Sequence, residues 1–467
     1  MSEVARHIDP DDTPGESAGQ SSGFADAGTN DARTADAETN DAPSPDTGAA
    51  GAGAPSTIEQ ILAPAVAVGG FLNRRALVRV TKAVPRTLHF VGNTLWRGEV
   101  AESLPAPHLS VGLAAQVAID EALLAVAMAP NRFPLPGEYS RVAGELAEAE
   151  EQFARAGWID DPSTYHRTPP TLLSDEVTTS HGWALGQGYD RIDWESGFAP
   201  HEGEPGSDRW MEFEPNKTAT AALLRHGDVT RPWVIAVHGF CMGYPFMDFP
   251  GLHAGRLHND LGMNVAMPAL PLHGPRRVTR ISGEPFLSFE LMNAVHGLTQ
   301  AVWDIRRLIS WVRAQGATSI SLFGVSLGAY TVALLAGLEP GLDGVVAGIP
   351  VVDFPGLFHG HSPRHIRVRS IDHRIMGGTA ERVFQVVSPL WFEPLVEPDR
   401  RYIFAGYGDR LATPQQAQRL ADHWGGAPVS WYSGNHVGYL WSRQVTEFVE
   451  ASLAEAGGLL APGTEAA

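Results

Sequence analysis

From about residue 170 onward, short apolar runs alternate with helical patterns, and few folds satisfy that alternation. The runs WVIAVHGF, NVAMPALP, SISLFGVS, GVVAGIPVVD, RYIFAGYGD and VSWYSG are rich in β-formers and bounded by Gly, Pro or Asp. Between them lie GLHAGRLHNDLG, LMNAVHGLTQAVWDIRRLISWVRAQ, LGAYTVALLAGL and TPQQAQRLADHWG, with RQVTEFVEASLAEAG after the last. Strands that are apolar throughout must be covered on both faces, and the intervening helices supply the cover. The predicted class is therefore α/β, a mostly parallel sheet with helices on both faces. Hairpin-like strands in EVTTSHGWAL, WMEFEP and TAALLRH precede it. In such a sheet, functional residues collect just past the C-terminal ends of the strands.

The first 170 residues follow other rules. Residues 1–57 are mostly Ala, Gly, Asp, Thr, Ser and Pro, with almost no large apolar side chains, and cannot offset the entropy of ordering. They read as a disordered acidic tail, holding eleven Asp or Glu against two Arg out of a formal net charge of -19 for the whole chain. Residues 58–170 read as a helical module, with IEQILAPAVAVGGFL, GLAAQVAIDEALLAVAM and YSRVAGELAEAEEQFARAG separated by Pro-rich breaks. Within it, residues 58–100 carry six Arg or Lys against two Glu. That run suits a helix packed on the main domain, and it also suits peripheral contact with an acidic membrane surface. The expected α/β domain covers 171–457, with 353–400 as a lid insertion and 458–467 as a flexible C-terminus.

Charge and cysteine usage narrow the function class. An acidic balance argues against nucleic acid as the main partner, because neutralising phosphates needs a basic face. The single cysteine, Cys241, excludes an internal disulfide framework and a thiolate metal site, and fits a reducing compartment. The sequence contains no run of 18 apolar residues, and its N-terminus lacks a basic start with an apolar core. The expected location is cytoplasmic.

Gly-x-Ser-x-Gly occurs twice, as GESAG at 15–19 and GVSLG at 324–328. Ser17 lies in the acidic tail, which has no means of holding it against a base. Ser326 joins the apolar run ISLF to a helical pattern, the strand-to-helix turn that the motif requires. A serine held in a strained turn leaves no room for side chains two positions away, which accounts for Gly324 and Gly328. The dipole of the following helix favours an oxyanion at its N-terminus.

A serine hydroxyl needs a base, and the base needs a group that orients it. His436 in SGNHVGYLW and Asp409 in AGYGDRLATP each follow a strand-like run. Asp353 in IPVVDFP, after the preceding strand, is the alternative acid. In VHGFCMG, residues 237–243, the turn after His238 and Gly239 can supply one oxyanion-hole N–H, from Phe240 or from Cys241. Leu327, directly after Ser326, supplies the other. His238 reads as a brace for this turn, and Asp304 in VWDIRRL as a surface or capping charge.

In the motifs GVSLG, HGF, GYGD and GNH, in this order and strand context, residues 175–455 resemble the α/β-hydrolase superfamily. The resemblance implies a mostly parallel sheet of about eight strands and a Ser-His-Asp triad of Ser326, His436 and Asp409. It implies hydrolysis of an ester, thioester or amide in a small-molecule substrate, with no cofactor or metal required. PALPLHGPRR and SPLWF are similar to dienelactone hydrolases and prolyl peptidases, although the former use a cysteine nucleophile where this chain has Ser326. Acyl transfer and peptide cleavage remain open on the same triad, as does a non-catalytic binding role. In the lid segment, HGHSPRHIRVRSIDHR holds four histidines without strand or helix context, a weak metal signal. Its arginines, or Arg276 and Arg277, are candidates to receive an anionic group on the substrate.

Overall fold

A computed structural model describes residues 83–96, 110–127, 134–227 and 230–459. The acidic tail with Ser17, the helix expected in IEQILAPAVAVGGFL and the basic run before residue 83 lie outside the described residues. Nine strands, rather than about eight, form one sheet: β1 (Thr178–Ala184), β2 (Gln187–Glu195), β3 (Thr218–Leu224), β4 (Trp233–Val237), β5 (Asn264–Pro268), β6 (Ile320–Val325), β7 (Gly344–Gly348), β8 (Arg401–Gly406) and β9 (Val429–Tyr432). Their order is β1-β2-β3-β5-β4-β6-β7-β8-β9. β1, β2, β3 and β5 pair antiparallel, and all pairings from β5 to β9 are parallel. This is the α/β-hydrolase fold. The chain leaves β4 toward β5 on one side and leaves β6 toward β7 on the other. The crevice between the C-terminal ends of β4 and β6 is therefore the topological switch point, where ligands bind in open α/β sheets.

The principal helices are α1 (Ala83–Trp96), α2 (Val111–Ala127), α3 (Pro136–Ala156), α4 (Pro245–Gly251), α5 (Ala254–Asn259), α6 (Leu291–Ala314), α7 (Leu327–Ala336), α8 (Phe354–His361), α9 (Arg364–Asp372), α10 (Pro414–His423) and α11 (Arg443–Ala456). None of the helices among the described residues is long and apolar enough to cross a membrane. Period-two alternation assigns the strand faces: in β4, Trp233, Ile235 and Val237 enter one core, while Val234 and Ala236 enter the other. α3, α6 and α7 pack on the first face, α5 and α11 on the second. α3 buries Tyr139, Val142, Leu146, Ala149 and Phe153 along one stripe, so it shares the main core of the sheet.

Two local expectations are corrected. WMEFEP is not a strand: Trp210 and Met211 end a short helix, Ser207–Met211, and Glu214–Lys217 form a 3-10 turn. The Trp210 indole N–H donates to Gln300 Oε1 at 2.9 Å in the core, and Pro215 suits the start of a helical turn. The strand beside β1 is instead GYDRIDWE, hidden in sequence by its charges. Only its inward residues Ile192 and Trp194 are buried, while Asp190 pairs with Arg225 at the edge. Asp304 is the second correction. It is buried, accepts a bond from Ser196 Oγ at 2.5 Å and pairs with Arg276 at 2.8 Å.

Among the described residues burial favours the neutral form of seven imidazoles, His258, His296 and His361 among them. Burial pushes His166, His238 and His253 down to about 4 and His273 to about 3, from 6.5. Each such depressed group contributes stability that is present above pH 6.5 and lost as the pH falls through its folded value. Asp120, raised from 3.8 to about 7, and Asp248, raised to about 8, act in the opposite sense, because burial favours their neutral form. Their contribution is present below pH 3.8 and lost as the pH rises through 7 to 8. Asp304 is raised by burial as well, and seven imidazoles against three acids leave net proton uptake on unfolding between pH 6.5 and 4, worth about 1.4 kcal/mol per proton and pH unit. The urea midpoint is expected to fall across that window, and a flat or rising midpoint contradicts the assignment.

Candidate active site

Ser326 caps the N-terminus of α7 with φ 57 and ψ -112, a backbone conformation that side chains other than glycine rarely adopt. Its N–H donates to the Gly348 carbonyl at 2.9 Å, which ties the turn to the end of β7. The two glycines are required by close approach. A Cβ on Gly324 would stand 2.3 Å from the Gly328 carbonyl oxygen, and one on Gly328 would stand 2.0 Å from that of Val237. The second contact is with the backbone of β4, which cannot move without breaking its pairing with β6. Gly328→Ala is therefore expected to cost about 3 kcal/mol or more. Urea unfolding checks this, and a wild-type midpoint would show that the elbow tolerates a methyl group.

Across the crevice, the turn after β4 is braced from several sides. His238 donates from Nδ1 to the Gly239 carbonyl at 2.8 Å and accepts the Leu270 N–H on Nε2 at 3.0 Å, which sets its tautomer. Asp248 accepts the Gly243 N–H at 3.0 Å, and Ser282 Oγ donates to the Met242 carbonyl at 2.6 Å. Gly239 lies against the nucleophile turn, where an added Cβ would be 3.5 Å from that of Ser326. Cys241, in the same turn, has φ 67 and is a second strained residue. Its thiol is pushed up to about 12 by burial and by Glu284, so it is not a thiolate near neutral pH.

Three side chains from three strand ends meet in a line. Ser326 Oγ is 3.0 Å from His436 Nε2, and His436 Nδ1 is 2.7 Å from Asp409 Oδ2. The other carboxylate oxygen of Asp409 accepts the N–H groups of Leu411 and Ala412, each at 2.8 Å. Asp409 and His436 are buried, whereas Ser326 is half-buried and open to a reactant. Burial acts to lower the His436 pKa, but the charge and hydrogen bond of Asp409, with a further contribution from Asp120, outweigh it and raise the pKa. The arrangement can deprotonate a hydroxyl and stabilise the imidazolium that results.

Other candidate residues fall elsewhere. Asp353 caps α8 through the Gly356 N–H at 2.8 Å and pairs with Arg419 at 2.7 Å, so the alternative acid lies outside the line. Arg276 does not reach a substrate: it is 2% exposed, and its guanidinium bonds to Asp304 and to the carbonyls of Ala269 and Asn216. Arg277 is near the surface, over the Tyr244 ring and bonded to its hydroxyl. The histidine-rich segment has helical context after all, in α8 and α9. His361 bonds to the Leu411 carbonyl at 3.0 Å and His373 stacks on Tyr139, which disperses the set. Among the described residues no group of His, Cys, Asp or Glu is arranged to hold a metal ion.

Sequence reasoning placed α2 as a helix but missed its contact with the site. Asp120 and Gln116 bond to the loops that carry Asp409 and His436. In sequence they are polar positions in an Ala-rich helix, far from every catalytic motif, and no local signal marks them.

No family model matches the chain. The uncharacterized proteins MT2702 and Rv2627c, from two strains of Mycobacterium tuberculosis, are each 40% identical to it over 376 residues, covering 79% of this chain and 89% of their own length. Among solved structures, acetyl xylan esterase 1 from Thermoanaerobacterium sp. is 11% identical, with a TM-score of 0.43, covering 64% of this chain and 93% of its own. Est1E from Butyrivibrio proteoclasticus, bound to ferulic acid, is 16% identical with a TM-score of 0.38, covering 51% and 94%. An acylaminoacyl peptidase from Pyrococcus horikoshii is 11% identical with a TM-score of 0.37, covering 62% and 43%.

Proposed function

We propose that this chain, which belongs to the same family as those two mycobacterial proteins and has the α/β-hydrolase fold, is a serine hydrolase that cleaves carboxylic esters through an acyl-enzyme. The observation that carries the reading is the unbroken Ser326–His436–Asp409 line at hydrogen-bond distances, ending on a strained serine. His436 Nε2 takes the Ser326 proton as Oγ attacks the ester carbonyl. The tetrahedral oxyanion is received by the N–H groups of Leu327 and Phe240. As first residue of α7, Leu327 has an N–H with no partner inside the helix. Each such donor lowers the barrier by about 3 to 4 kcal/mol. The imidazolium protonates the leaving alkoxide, and an alcohol departs. Water then repeats the sequence on the acyl group, with His436 as base, and releases the acid.

The same machinery also serves thioesters and amides, or transfer of the acyl group to an alcohol. A fluorophosphonate probe tests the core of the reading. The expected adduct lies on Ser326, located by mass spectrometry, and turnover of p-nitrophenyl esters exceeds that of peptide p-nitroanilides. Equal labelling of wild type and Ser326→Ala overturns the hydrolase reading. Faster anilide turnover moves the assignment to a peptidase, and ester products formed with added methanol in preference to acid move it to acyl transfer.

A further inference from the structure

We infer that Asp120 and Gln116 are positioning residues of the catalytic triad, which makes helix α2 a working part of the active site. The inference rests on the serine-hydrolase reading above and adds to it a component from outside the strand-end motifs. Leu113, Gln116, Val117, Asp120 and Glu121 follow the spacing of one helical face. The apolar pair on that face packs at Gly408, where an added Cβ would lie 2.6 Å from Leu113 Cδ1 and 3.2 Å from Val117 Cγ2. The polar members bond to the two catalytic loops.

A single oxygen, Asp120 Oδ2, accepts the backbone N–H of His436 at 2.9 Å and that of Arg410 at 3.0 Å. One donor belongs to the base itself and the other to the residue after the triad acid. The carboxylate therefore fixes the separation of the two loops, and with it the approach of Asp409 to His436. Its other oxygen accepts Asn435 Nδ2 at 2.9 Å, and Gln116 Oε1 accepts the Asn435 N–H at 3.1 Å. Glu121 extends the tie, pairing with Arg410 at 3.3 Å and with Arg86 of α1 at 3.2 Å.

Three donors and no acceptor meet the two oxygens of Asp120, a set that an acceptor-only carboxylate satisfies. Asp120 is fully buried, and burial together with the nearby Asp409 makes its ionised form costly. Above pH about 7, where Asp120 is ionised, that charge faces His436, and a negative charge beside the imidazole favours the imidazolium that forms when Ser326 is deprotonated. The charged and titratable groups around the pair are Asp409, Tyr432 and His361, with Arg410 and Glu121 on the outer side.

The test compares full-length wild type with Asp120→Asn and Gln116→Leu. For Asp120→Asn, kcat on p-nitrophenyl butyrate is expected to fall about tenfold or more with KM nearly unchanged, as small displacements of catalytic groups produce. The acidic limb of kcat/KM and the titration of the low-field His436 Nδ1–H signal in proton NMR both move to lower pH. Gln116→Leu, which removes a hydrogen bond and no charge, lowers kcat and leaves the titration in place. Wild-type kcat and titration in Asp120→Asn overturn the inference. If that variant does not fold, unchanged kcat in Gln116→Leu overturns it and a several-fold loss supports it. Wild type that neither labels nor turns over any ester counts against the hydrolase reading alone, because the NMR titration still decides whether Asp120 acts on His436.

Discussion

Ser326→Ala is expected to lower kcat on an activated ester by about 10⁶-fold and to leave the protein folded. The magnitude follows from the geometry, because among the described residues the hydroxyl bonded to His436 Nε2 is that of Ser326, and its proton transfer has no purpose without Oγ. Residual activity over water comes from substrate binding and the oxyanion donors alone. Stability changes little, since the Ser326 side chain makes one hydrogen bond, at 3.0 Å, and its N–H bond to Gly348 survives in alanine. The measurement is steady-state turnover with a melting curve on the same sample. A loss smaller than tenfold would point to another nucleophile, and the raised pKa of Cys241 makes it an unsuitable substitute.

Asp409→Asn is expected to cost about 10⁴-fold in kcat, again in a folded protein. One carboxylate oxygen accepts two backbone N–H groups and the other accepts His436 Nδ1–H. An amide satisfies the two backbone donors with its oxygen, so its NH₂ must face Nδ1. His436 then has to accept at Nδ1 and carry its proton on Nε2, where it points at Ser326 and cannot act as a base. Asp353→Asn is the matched control. Its amide oxygen still caps α8 and only a partly exposed ion pair is lost, a change of about 1 kcal/mol or less in stability with kcat near wild type. Equal losses in the two variants would mean that the acid has been misassigned.

The parts of the site legible in the sequence were those governed by neighbours along the chain. GVSLG carries its own reason, since the glycines are demanded by a turn that closes within five residues. The β4 turn, the Asp409 loop and the His436 loop each follow an apolar strand, and a parallel sheet brings such loops to one edge. β2 was hidden because half of its residues face solvent and carry charge, which removes the apolar run that marks a buried strand. Arg276 and Asp304 were misread for a related reason. A lone charged residue reads as exposed until its partner, 28 residues away, is seen to bury it.

The sequence by itself determined the fold class, the turn that carries Ser326 and the order in which Ser326, Asp409 and His436 follow their strands, because each depends on short-range stereochemistry and on strand periodicity. The sequence favoured Asp409 through the turn and helix start of GYGDRLATP, and the tertiary structure adds the distance to His436, which Asp409 meets at 2.7 Å while Asp353 caps α8. Tertiary structure alone brought in Asp120, which lies 316 residues before the N–H it accepts. Such a contact leaves no local pattern, because it is made by packing one helix face across two loops that the sheet has already brought together.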